Sequence, residues 1–359
     1  MKTIALICND CFAAYKFRLD LIKHLKTKYR VFIIAGFDSY TQILKSENIE
    51  IDIVDINNTG TSIFQELQLL FSYRKILKAK RPYIIINYTI KPHIYASLVA
   101  PKNTKIINVV TGISSVLTAT TIKSKIIVLL YRLISKRIDH YVFLNNDDYN
   151  HFLEMKIIKK THSIIKGEGV NLANFYPYVD FSKPTTFIYI GRLVKEKGII
   201  EYLEAAKMVK GRYPNVRFLI AGAFYRKYST ISNKVIDYYE KQGIVKYLGY
   251  RYDINEALRD VHCVVLPSYR EGIPISLIEG LASKKVVIAA NAIGSKEVVI
   301  DGYNGFLANK MSSYDLALKI EKYLFLQNKE EMHENALESS KQYDVNKSIK
   351  EMKKIIEGI

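Results

Sequence analysis

The chain has 359 residues, 53 Lys and Arg against 35 Asp and Glu (formal net charge +18), 49% hydrophobic residues, three Cys and no Trp. That length exceeds one ordinary core of roughly 100–200 residues and predicts two domains. A quarter of the residues are charged and nearly half apolar, which excludes a disordered, collagenous or coiled-coil chain, and three Cys exclude a disulfide framework.

The charge is uneven. Residues 1–175 carry 25 basic and 13 acidic side chains, and residues 176–359 carry 28 and 22. Two thirds of the excess therefore sits in the first half and favours an anionic partner there: a phosphate-bearing ligand, a membrane surface or nucleic acid. The apolar run Ile4–Cys8 is too short for a signal peptide. No run reaches the ~18 apolar residues of a membrane span. The expectation is a cytoplasmic protein, free or peripheral.

In chain order, Ile4–Cys8, Val31–Ala35, Ile51–Ile56, Ile84–Asn87, Ile106–Thr111 and Tyr141–Leu144 read as buried strands, alternating with helical segments Phe17–Lys28, Phe64–Lys80, Pro92–Val99 and Lys125–Lys136. This βαβ rhythm predicts a parallel sheet covered on both faces. Cys8 and Cys11 form a C-x-x-C, read as the end of a buried strand because no thioredoxin-like context or four-ligand zinc set accompanies it. The following turn, Asn9–Tyr15, has no glycine, which disfavours a dinucleotide fingerprint.

The rhythm restarts near residue 185. Strands are expected at Phe187–Gly191, Val216–Gly222, Val245–Gly249, Cys263–Ser268 and Val286–Ala290, with helices at Ile199–Lys210, Ser232–Gln242, Ile254–Asp260 and Ile275–Ser283. Residues 1–172 are predicted as the first domain, the proline-marked stretch 173–184 as a linker and 185–344 as the second domain. The stripe Ile349, Met352, Ile355, Ile356 and Ile359 predicts a final helix over 345–359 that packs back on the first domain. Two doubly wound domains would face a cleft at their strands' carboxyl ends.

Chemistry concentrates in the second half. Gly191-Arg192-Leu193-Val194-Lys195-Glu196-Lys197-Gly198 links a strand to a helix, and an Arg fork followed by a Lys point charge suits the two phosphates of a diphosphate leaving group. Leu266–Glu279 is a strand end, a turn and a helix start carrying Glu271 and Glu279. Carboxylates accept paired sugar hydroxyls. Gly272 lets helix N-terminal amides approach an anion or a sugar oxygen. A glycosidase also uses two carboxylates, but hydrolysis needs no basic diphosphate clamp.

These two motifs, about 80 residues apart, resemble the retaining glycosyltransferases of family 4, which have the GT-B fold of two Rossmann-like domains. The stretches Val245–Arg251, Asn291–Glu297 and Asp301–Gly305 in the second half, and Lys91–Tyr95, Asn108–Gly112 and Gly167–Asn171 in the first, extend the resemblance over most of the chain. It implies that Arg192 and Lys197 bind the donor diphosphate, Glu279 the ribose and Glu271 the transferred sugar. It further implies that Gly191 and the backbone of Gly272, Ile273, Pro274, Ile275 and Ser276 contact the donor, and that Leu248, Gly249, Tyr250 and Arg251 line the base pocket. Thr111 and Gly112 stand where many members have a His and are assigned donor or acceptor contact, as is His93. Asn291 replaces a common Asp. No metal motif is seen, and no cofactor is expected beyond the nucleotide-sugar substrate.

The subgroup resembled builds O-antigen, capsule or glycan precursors on undecaprenyl diphosphate. It implies a UDP-linked hexose or N-acetylhexosamine as donor and a polyprenyl-diphosphate-linked saccharide as acceptor. The segment Thr121–Tyr141, apolar with Lys123, Lys125, Arg132, Lys136 and Arg137 around it, together with Phe64–Arg81 and the basic residues Arg18, Lys23, Lys26 and Lys28, suits an anionic membrane surface on the cytoplasmic face. Two other classes stay open: a nucleotide-sugar epimerase of similar two-domain fold, which needs acid and base side chains not identified among the seven His, and a basic nucleic-acid-binding protein, for which no reader module is recognisable.

Overall fold

A computed structural model describes residues 1–57, 62–113, 115–158, 160–224 and 231–359, apart from the side chain of Ser115. The chain divides into two compact units, residues 1–168 with 345–359, and residues 169–344.

Unit 1 is built on seven parallel strands, β1 (Thr3–Asp10), β2 (Arg30–Gly36), β3 (Glu50–Ile53), β4 (Ile84–Tyr88), β5 (Lys105–Val110), β6 (His140–Phe143) and β7 (Thr161–Ile164), in the order β3-β2-β1-β4-β5-β6-β7. Central strands bury nearly every residue, as parallel strands covered on both faces must: Ile4 to Cys8 and all of Ile84–Tyr88 are sequestered. The first crossover helix, Cys11–Lys26, starts at an Asp10 cap whose carboxylate accepts the Ala13 amide at 2.8 Å. The helix Ile63–Lys80 stops at Arg81, left-handed at φ 43° and followed by Pro82.

The final helix, Val345–Glu357, belongs to this unit. It buries Val345, Ile349, Met352 and Ile356 against the Cys11–Lys26 helix, each worth about 1.5–3 kcal/mol, and is fastened by Lys28–Glu357 at 2.8 Å. Arg18 is placed differently from its expected surface role. It is buried, forms a two-pronged pair with Glu168 (2.9 and 3.0 Å) and lies 4.0 Å from the Tyr88 ring. Cys8 ends the buried part of β1, Cys11 begins the helix, and burial pushes the Cys8 thiol up to about 12, which makes it inert at neutral pH.

Unit 2 has six parallel strands, β8 (Thr186–Ile190), β9 (Arg217–Ala221), β10 (Lys246–Tyr247), β11 (Cys263–Leu266), β12 (Val286–Ala290) and β13 (Gly305–Ala308), in the order β10-β9-β8-β11-β12-β13. The segment expected as a linker is fastened to this unit: Lys285 donates to the Tyr178 carbonyl at 2.5 Å, His262 meets the Asp180 carbonyl at 3.1 Å, and Lys183 pairs with Asp260 at 2.6 Å.

Several elements differ from expectation. β7 and β13 were not foreseen: β7 is a polar edge strand with no apolar run, and β13 is only four residues long. The strand expected over Val245–Gly249 shrinks to two residues because Gly249 turns left-handed at φ 74°. Pro92–Val99 is a turn of π-helix, Pro92–Ala96, followed by Ser97–Val99. The helices Asn146–Glu154, Ser313–Leu324 and Lys329–Ser340 went unread.

Candidate active site in the second unit

In unit 2 the strand order reverses between β8 and β11, the switch point where open α/β sheets bind ligands. The loops after these two strands carry the predicted residues. Lys197 ends a short 3-10 turn, Lys195–Lys197, after β8, and Glu271 lies in the loop after β11. Their side chains meet, Lys197 Nζ to Glu271 Oε1 at 2.5 Å, both largely shielded from water.

The backbone fixes that meeting. The Glu196 carbonyl accepts the Tyr269 amide at 2.9 Å and the Ser268 hydroxyl at 3.2 Å, while the Glu271 amide donates to the Ile293 carbonyl at 2.9 Å. Three loops thus hold one carboxylate. Two glycines permit the approach. Gly198, at φ 72°, would place a Cβ 2.1 Å from the Pro267 carbonyl oxygen, and Gly294, at φ 83°, 2.5 Å from that of Glu271. Tyr269 adds a strut, its hydroxyl donating to Glu201 at 2.6 Å; burial and that carboxylate raise the phenol's pKa, so it stays protonated.

Arg192 is exposed in the same loop as Lys197, its carbonyl accepting the buried Tyr189 hydroxyl at 2.8 Å. Gly191 precedes it, donating to Ala221 at 3.1 Å. Gly272, Ile273 and Pro274 are buried and lead into the helix Ile275–Ala282, where Ile275 and Ser276 form the first turn and Glu279 is half-buried one turn on. The amides of a first helical turn point toward incoming anions. Leu248, Gly249, Tyr250 and Arg251 follow β10; Leu248 donates to Ile220 at 2.8 Å, and Tyr250 and Tyr252 stand edge to face at 4.9 Å. Unit 2 therefore brings together, at one sheet edge, the loops that carry the residues assigned to the donor from sequence.

Thr111, Gly112 and His93 belong to unit 1. Thr111 is half-buried just after β5, and Gly112, exposed at φ 134°, takes a conformation that favours glycine. His93 does not present itself to a ligand. Its ring is buried, Nδ1 lies 2.9 Å from the Tyr131 hydroxyl, Nε2 lies 3.2 and 3.1 Å from the Asn87 and Val109 carbonyls, and burial drops its pKa to about 4. It ties β4 and β5 to the helix carrying Tyr131, which corrects the contact role assigned from sequence. Sequence reasoning did not foresee the contact between Asn9 and Thr89. Thr89, left-handed at φ 71°, donates to Asn9 Oδ1 at 2.7 Å across the switch point between β1 and β4. A non-glycine residue in that conformation beside a switch point was the only available signal, and it is visible only in the backbone.

Residues 176–342 match the family model described as glycosyl transferases group 1. Among curated proteins, the chain is 29% identical over 356 residues to the N,N'-diacetylbacillosaminyl-diphospho-undecaprenol alpha-1,3-N-acetylgalactosaminyltransferase of Campylobacter jejuni, with 92% of both chains covered. It is 25% identical over 278 residues to the UDP-Gal:alpha-D-GlcNAc-diphosphoundecaprenol alpha-1,3-galactosyltransferase of Escherichia coli, covering 72% of this chain and 70% of that one. Among solved structures it is similar to Anabaena HepE in complex with UDP and glucose, at TM-score 0.82 and 18% identity over the full length of both. Its residues 176–342 are a group 1 glycosyl transferase domain, and the chain is a glycosyltransferase of GT-B fold.

Proposed function

We propose that the protein moves a hexose or N-acetylhexosamine, with retention, from a UDP-sugar to a saccharide carried on a polyprenyl diphosphate at the inner face of the cytoplasmic membrane, in the assembly of a bacterial surface polysaccharide or glycan. The observation that carries this reading is the Lys197–Glu271 pair at the switch point of unit 2. Both relatives named above support the acceptor class, since their names give a sugar on diphosphoundecaprenol as the acceptor. The Escherichia coli name couples UDP-Gal to an alpha-1,3 linkage, and an alpha-linked donor giving an alpha-linked product is retention.

In this reading Arg192 and Lys197 hold the diphosphate and neutralise the charge that grows on it as the glycosidic bond breaks. The bond from the anomeric carbon to the diphosphate opens, the acceptor hydroxyl adds on the same face, and its proton passes to the departing phosphate oxygen. Glu271 accepts from Lys197 and orients the sugar rather than attacking it. Glu279 takes the ribose, and the loop Leu248–Arg251, with Tyr250 half-exposed, takes the base. The clamp needs no resident metal.

The test is a panel of nucleotide sugars incubated with the protein and membrane extract, following nucleotide release and label entering the lipid fraction, with and without EDTA. A UDP-hexose or UDP-N-acetylhexosamine should be turned over and its sugar recovered as an alpha-linked lipid product, in EDTA as well. Label that stays water-soluble, or a beta-linked product, refutes the proposal.

A further inference from the structure

We infer that the outer side of three neighbouring helical segments in unit 1, Ile63–Lys80, Ser97–Val99 and Ile122–Ile134, is a docking face for an anionic lipid bilayer. The inference deepens the lipid-linked acceptor reading but stands on the surface itself.

The inner sides of these segments share one core. Leu69, Tyr73 and Leu77 from the first helix, Ala96 and Ala100 flanking the second, and Tyr131 and Ile134 from the third all join the cluster that covers one face of the sheet. The first and third helices both pack against the turn Pro92–Ala96. Their other sides ought to be polar, because a surface helix of a globular protein turns charge to water. They are not. Ile122, Ile126, Leu129 and Leu133, spaced so as to form one stripe, are each more than half exposed, and Phe64, Phe71 and Leu98 on the neighbouring segments are equally open. An exposed apolar face of this extent marks an interaction site.

The charge around it selects the occupant. Between Glu66 and Asp139 there are 72 consecutive residues with 13 Lys and Arg and not one Asp or Glu. Lys123, Lys125, Arg132 and Lys136 lie exposed around the apolar stripe, and Arg74, Lys75 and Lys78 beside Phe71. A second copy of the chain would bring the same positive charge against this face and be repelled. A leaflet of anionic headgroups complements it, with the apolar side chains entering the acyl boundary and the basic ones staying among the phosphates. Among the described residues no helix is long and apolar enough to cross a membrane, so the segments lie in the interface rather than through it.

The test uses the full chain without nucleotide sugar or acceptor. Sedimentation with vesicles of phosphatidylglycerol and phosphatidylcholine should show binding at least about tenfold tighter than with phosphatidylcholine alone, weakening as salt rises. The triple variant Ile126→Ser, Leu129→Ser, Leu133→Ser replaces exposed side chains and should keep the wild-type melting temperature and donor turnover while vesicle affinity falls at least about tenfold. Lys123→Glu with Lys125→Glu should remove the preference for phosphatidylglycerol. Equal binding to both vesicle types overturns the inference, as does wild-type affinity in the serine variant. So does a dimer in sedimentation velocity that the serine variant dissociates, which would make this face a contact between copies. Vesicle binding without transferase activity in the panel assay would defeat the proposed reaction and leave this surface standing.

Discussion

Gly198 carries no chemistry, yet its replacement by Ala should disable the candidate site. At φ 72° an Ala there costs about 1–2 kcal/mol in left-handed strain alone. The added Cβ would also lie 2.1 Å from the Pro267 carbonyl oxygen and 2.6 Å from its carbon, where ordinary contact begins near 3.4 Å. Over-packing of that kind costs about 1–3 kcal/mol more. The loop after β8 must therefore retreat by more than an ångström from the loop after β11, and these are the loops that hold Lys197 and Glu271 at 2.5 Å. A total of about 2–5 kcal/mol in a unit of this size should lower the melting temperature by roughly 5–15 °C, and an ångström of misplacement should cut turnover about a hundredfold. Gly243→Ala is the control. Gly243 has nearly the same conformation, φ 66°, with nothing within 4 Å of its added Cβ, so only the strain remains and activity should hold. Thermal unfolding and nucleotide release on the two variants decide the matter. Gly198→Ala with wild-type turnover, or both variants equally damaged, would refute the reasoning that loop approach builds the site.

Lys197→Met keeps the aliphatic stem but removes the ammonium. Turnover should fall about 10²–10³-fold, the range for deleting a group that stabilises developing charge, with stability falling by only about 1–3 kcal/mol as Glu271 loses its partner; activity within threefold of wild type in a folded variant would remove Lys197 from the diphosphate site. His93 predicts acid lability of unit 1. Its pKa drops from 6.5 to about 4 by burial, so the unfolded chain binds the proton more readily than the folded one, and stability present above pH 6.5 is lost as pH falls toward 4. Urea midpoints of wild type and His93→Gln between pH 7 and pH 4 should converge as the pH falls; parallel curves would show that His93 does not carry this dependence.

The amino-acid sequence was sufficient to read most of what the sheets required. Runs such as Ile84–Asn87 and Val286–Ala290 are continuous and β-branched because a strand covered on both faces must bury every side chain, and so the repeated βαβ rhythm was visible without coordinates. The candidate residues stood out in sequence because Arg192 with Lys197, and Glu271 with Glu279, lie within short stretches that one loop or one helix start presents together. Two edge elements were not legible: β7 is polar and β13 only four residues long, and neighbours rather than composition make them strands.

What only the tertiary structure decided is which charges meet. Arg18 and Lys197 look alike in sequence, each a base on a helix or turn beside a strand. The fold buries the first against Glu168, 150 residues away, and holds the second on Glu271 at the sheet's carboxyl edge, 74 residues away. Likewise His93 reads as a site residue until the carbonyls of Asn87 and Val109 close around its ring. Local pattern follows from side-chain period and propensity, which adjacent residues carry. The partner of a charge or a ring nitrogen comes from a distant strand, and chain folding alone brings it within reach.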